Sequence, residues 1–70
     1  MGLLKKGVKN NEVTVFEILM AKLGYYTGSI DVSYGKGCVS ACINFQKDHN
    51  LIQDGECGNN TWKALLAEVI

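Results

Sequence analysis

The chain has 70 residues, room for one domain and too little for a deep enzyme cleft. Seven lysines, no arginine and seven acidic residues give zero net charge with His49 neutral. That balance argues against a nucleic-acid partner, whose phosphates are normally met by a basic surface, and no apolar run is long enough to span a bilayer.

Residues 1–8 read as a mobile N-terminal arm or an edge segment, with Lys5, Lys6 and Lys9 forming a solvated cluster. Met1-Gly2-Leu3-Leu4-Lys5-Lys6 does not read as a signal peptide, because no apolar stretch follows the positive residues. The first helix is predicted from about Asn11 to Leu23. Val13, Phe16, Leu19, Met20 and Leu23 recur at helical spacing and make one apolar stripe. Asn10 is a suitable N-cap, Glu12 suits the positive end of the helix, and Gly24 is a left-handed stop.

The second helix is predicted from about Lys36 to His49, with Cys38, Ala41, Cys42, Phe45 and His49 on one face. Asn50 has the stop role that Gly24 has in the first helix, and His49 suits the negative end of the helix. The third helix is predicted from about Asn59 to Val69, capped by Gly58 or Asn59. Trp62, Leu65, Leu66 and Val69 lie at i, i+3, i+4 and i+7. A helix this short does not persist alone in water, so its stability must come from docking Trp62 and Leu65. The fold class expected is all-α: a compact three-helix bundle with two structured Asp/Gly loops, one domain over residues 1–70.

Those two loops repeat one pattern. Ile30-Asp31-Val32-Ser33-Tyr34-Gly35 returns as Gln53-Asp54-Gly55-Glu56-Cys57-Gly58, with Asp and Gly at the same offset and a helix directly after each. Asp31 and Asp54 can accept from amides two residues on, forming Asx turns. Ile30 and Ile52 are expected to point inward and anchor the loops. These roles explain both aspartates without catalysis. No Ser-His-Asp or Walker-type pattern accompanies them, so the chain is read as not an enzyme. Three cysteines suggest no closed disulfide framework, although one bridge involving Cys57 stays open. With a single histidine, neither a metal site nor a cofactor is expected.

The ordered segments Leu4-Lys5-Lys6-Gly7, Leu23-Gly24-Tyr25-Tyr26-Thr27-Gly28, Phe45-Gln46-Lys47, Leu51-Ile52-Gln53-Asp54-Gly55 and Gly58-Asn59-Asn60-Thr61-Trp62-Lys63-Ala64-Leu65 resemble the peptidoglycan-binding domain 1 family. The resemblance runs from Leu4 to Leu66. It implies a non-catalytic monomeric module outside the cell that holds an attached cell-wall hydrolase on peptidoglycan. The alternative is a protein-interaction or pro-domain of the same fold, in which Cys57 or an exposed Cys38 would matter as a thiol. Val32 departs from the family's Gly, Cys38 from its Thr, and Phe16-Glu17 from its Leu-Gln, whereas the second loop is intact. A site for sugars, amides and carboxylates would combine an aromatic platform from Tyr25, Tyr26 and Tyr34 with polar contacts from Asp54, Asn59, Asn60 and Thr61. Of Tyr25 and Tyr26, one is expected in the core and one exposed. Gln46 is expected to brace a loop, and Trp62 to belong to the core.

Overall fold

Local side-chain chemistry sets where each helix starts and stops. A computed structural model describes all residues, Met1–Ile70. Helix α1 spans Asn11–Lys22, α2 spans Lys36–Asp48 and α3 spans Asn59–Val69. Asn10 caps α1 through Oδ1, which accepts from the Val13 amide at 3.1 Å. Gly58 is the N-cap of α3. Helices α1 and α2 end alike. Gly24 (φ +89°) and Asn50 (φ +56°) take left-handed backbone. The next amides then reach back, Tyr25 to the Met20 carbonyl at 2.8 Å and Leu51 to the Gln46 carbonyl at 2.9 Å. Each end is thus a Schellman closure that satisfies orphan carbonyls.

The core forms where the three helices meet. Phe16 is central, with its ring centroid 5.2 Å from Tyr34 and 6.3 Å, edge-on, from Trp62. Val13, Met20, Phe45, Leu65 and the three cysteines are buried around it. Trp62 is 3% exposed, and its indole N–H donates to the Gly2 carbonyl at 2.8 Å. Leu19, Leu23, Leu66 and Val69 are half-buried against this core.

The N-terminal segment packs across both loops. Leu4 is buried and exchanges backbone hydrogen bonds with Cys57 at 3.1 and 2.7 Å. Further on, Gly7 donates to Tyr34, Tyr34 donates to Val8, and Asn10 donates to Val32. One extended stretch therefore pairs with the second loop at Leu4 and with the first at Gly7–Asn10.

The loop isoleucines do not anchor the loops as expected. Ile30 is 48% exposed and Ile52 is 82% exposed. The inward position is taken instead by two buried polar side chains, Glu17 from α1 and Gln46 from α2. These satisfy loop amides that an isoleucine would leave unpaired, and a buried unpaired amide is costly. Glu17 also belongs to the apolar stripe of α1, between Phe16 and Met20. No helix is long and apolar enough to cross a membrane.

Candidate functional site

Gln46 organises the second loop. Its Oε1 accepts from the Gly55 amide at 3.0 Å. Its Nε2 lies 3.0 Å from Asp54 Oδ1, 2.9 Å from the Glu56 carbonyl and 3.1 Å from Thr61 Oγ1, so two hydrogens are shared among three acceptors. Asp54 Oδ1 also accepts from the Glu56 amide at 2.9 Å, closing the Asx turn. Gly55 completes the bend at φ +73°, where a Cβ would stand 2.9 Å from Val39 Cγ1. The result is a stiff loop held against the first turn of α3.

An open groove of about 350 Å³ lies over this loop. Leu51 and Ile52 form its apolar side, and Asp54, Glu56, Asn59, Asn60 and Thr61 its polar side. Gly58 contributes no capping side chain, so the first-turn amides of α3 are not satisfied by one. The groove thus combines helix-start donors, side-chain amides, a hydroxyl and carboxylates.

The Glu56 amide, followed by the Gln46 amide, holds the Asp54 carboxyl below its ordinary value of 3.8. The unfolded chain therefore binds this proton more tightly than the folded one. The stabilisation is present above the ordinary carboxylate value and is lost as pH falls through the folded value. Urea midpoints measured downward from pH 6 should begin to drop near pH 4, and Asp54→Asn should flatten that part of the profile. An unaltered profile in the variant would remove Asp54 from this account.

The first loop is a changed copy of the second. Asp31 Oδ1 accepts from the Ser33 amide at 3.0 Å, the same Asx turn. Val32, at the position of Gly55, stays outside the left-handed region, so the bend has another shape. Glu17 takes the bracing role: Oε1 accepts from the Asp31 amide at 2.7 Å, and Oε2 accepts from the Cys38 thiol at 3.1 Å. Cys38 stands where the second loop has Thr61 and serves as the matching donor. No comparable groove opens there, because the Tyr26 ring lies against Gly28 and Gly37.

Of the predicted site residues, Asp54, Asn59, Asn60 and Thr61 converge on the groove, but the tyrosines do not. Tyr34 is buried with its hydroxyl donating to the Gly55 carbonyl at 2.8 Å. Tyr26 is buried and donates to the Ser29 carbonyl at 2.6 Å. Tyr25 is half-buried, stands edge-on to Phe45, and donates to Asp48 Oδ2 at 2.7 Å, a bond that helps push its hydroxyl up to about 12. The three phenols therefore form no common platform at the groove: Tyr25 and Tyr34 tie distant parts of the fold together, and Tyr26 closes its own turn. Thr61 is itself buried, reaching the groove only at its wall. Sequence reasoning missed Leu51, Ile52 and Glu56 as lining residues, and no periodic signal marks them.

The thiols are also not free to act. Cys38, Cys42 and Cys57 are all buried and unpaired by disulfide. Burial, then the Glu17 carboxylate, pushes the Cys38 thiol up to about 12; burial raises Cys42 to about 11 and Cys57 further. An accessible reactive thiol at Cys57 or Cys38 is excluded by this placement.

A small helical scaffold presenting a stiff, open, polar groove defines a recognition module. The profile of the putative peptidoglycan binding domain matches residues 9–65, and the chain belongs to that family. It is 31% identical over 55 residues to the N-acetylmuramoyl-L-alanine amidase CwlM of Mycobacterium tuberculosis (strain ATCC 25618 / H37Rv), a match covering 79% of this chain and 14% of the amidase. The chain thus spans about a seventh of that relative's length. Its fold is similar to the SleB N-terminal domain, with a TM-score of 0.94, 28% identity, and 97% and 93% of the two chains covered. It is also similar to a peptidoglycan-binding protein from Clostridioides difficile, solved in complex with glutamine hydroxamate. There the TM-score is 0.85 at 38% identity, with 90% of this chain and 39% of that one covered.

Proposed function

We propose that the groove at the start of α3 receives a fragment of peptidoglycan and that the chain works as a non-catalytic, monomeric anchor for an attached wall-acting enzyme outside the cell. The observation that carries this reading is the convergence of Asp54, Asn59, Asn60 and Thr61 over the one loop whose family motif is intact. Donors at a helix start suit the carboxylates and carbonyls of stem peptides. Leu51 and Ile52 offer an apolar wall to alanine methyls or a sugar face. Asp54 supports binding over catalysis. Its Oδ1 is engaged by two donors that favour the charged form, the opposite of what a general acid needs.

Sedimentation with purified sacculi tests the reading. The chain should pellet with the wall, and Asn59→Ala/Asn60→Ala should pellet roughly tenfold less, as expected for the loss of two polar contacts to the ligand. Retention no better than that of a neutral control protein would sink it.

A further inference from the structure

A second cavity of about 360 Å³ lies on the other side of the Asp54–Glu56 ridge, lined by Lys5, Lys6, Val39, Asp54, Gly55 and Glu56. It shares Asp54 and Glu56 with the first groove, so the two chambers adjoin along those residues. The second chamber thus carries two ammonium groups and two carboxylates. None of them pairs across it, since no lysine ammonium in the molecule lies within 4.0 Å of a carboxylate. The main chain that carries the two lysines is held on both sides, while their side chains are exposed. Leu4 is paired to Cys57 on one side, Gly7 to Tyr34 on the other, and Val8 donates to the Lys5 carbonyl at 3.0 Å.

A ligand that satisfies both signs must bring an ammonium for Asp54 and Glu56 and a carboxylate for Lys5 and Lys6 on neighbouring atoms. It must also continue as a peptide into the first groove. We propose that the double chamber selects stem peptides whose diamino acid ends in a free zwitterion, the meso-diaminopimelate type. This inference rests on the peptidoglycan reading. The side chain of that residue ends in one carbon bearing both an ammonium and a carboxylate. A lysine-type stem brings the ammonium alone. Amidation of the terminus removes the carboxylate charge, and cross-linking consumes the ammonium. The module therefore favours uncross-linked, non-amidated stems, and its lysines set the choice.

The test is a chemical-shift titration of the chain with L-Ala-γ-D-Glu-meso-diaminopimelate, its L-Lys counterpart and its amidated form. The diaminopimelate peptide should shift amides at Lys5–Gly7 and at Asp54–Gly58, and should bind roughly tenfold tighter than either of the others, the value of a charge-assisted contact. Lys5→Gln/Lys6→Gln should erase that difference, while Lys22→Gln/Lys36→Gln, an equal charge change on α1 and α2 away from both chambers, should keep it. Equal binding of all three peptides by the unaltered chain overturns the selectivity and leaves the anchoring role standing. Retention on sacculi with no response to any peptide also overturns it, and places recognition on the glycan. Absence of both overturns this inference together with the function it rests on.

Discussion

Trp62→Ala should leave a chain with little cooperative melting at room temperature. The indole is buried, meets Phe16 edge-on and donates to the Gly2 carbonyl, so one ring ties α3 to α1 and to the N-terminal segment. Its removal costs roughly 3–5 kcal/mol. A domain of this size holds roughly 4–10 kcal/mol in total, so the loss takes about a third of it or more and, toward the lower end of that range, brings the variant to its midpoint. Helix α3, at 11 residues, has no independent stability with which to compensate. Trp62→Phe keeps an aromatic body but leaves the Gly2 carbonyl without its donor, and should fall between the two. Circular dichroism melts decide the matter; an unshifted transition for the alanine variant would mean that the ring contributes nothing to docking.

The other large effect is expected at Gln46. Replacing it with Leu keeps the volume and removes the side-chain bonds by which α2 holds the second loop and the first turn of α3. The buried Gly55 amide then has no acceptor, and Thr61 and the Glu56 carbonyl lose their donor. Unsatisfied buried groups of this kind cost about 2–4 kcal/mol here. The groove should suffer more than the fold, since Asp54 and Thr61 lose their common reference point. Retention on sacculi should therefore fall by more than roughly tenfold even at a temperature where the variant is fully folded. Gln46→Glu gives a sharper comparison. It retains an acceptor for Gly55 but sets a carboxylate against Asp54, so its defect should ease at low pH. Urea denaturation and wall sedimentation on the same samples separate the two effects. Full retention by the folded Leu variant would show that the loop needs no brace from α2.

What could be read in advance follows the range of the interactions involved. Gly24 and Asn50 as helix stops and Asp31 and Asp54 as Asx turns depend on neighbours a few residues away, and the structure has them as expected. The helical stripes were equally legible, because spacing alone defines a face. Ile30 and Ile52 failed because the loops are anchored from other elements, by Glu17 and Gln46. Glu17 sits at an ideal core spacing between Phe16 and Met20, and its charge concealed that position. The tyrosines failed for a related reason. A phenol suits a binding surface and a structural tie equally well, and only the distant partners Asp48 and Gly55 settle which it is. The lysines at the N-terminus gave no sign of the second chamber, since Leu4 meets Cys57 only in the folded chain.

The sealed sulfurs give this protein a built-in gauge of its own opening. While the bundle stays shut, Cys38, Cys42 and Cys57 are neither exposed nor ionised, so thiol-directed electrophiles and oxidants find no thiolate to attack. Alkylation then proceeds only through molecules that have breathed apart, and its rate counts them. A folded copy exposed to an oxidising exterior keeps its thiols without forming bridges, and labelling becomes an early mark of the copies that have begun to fail.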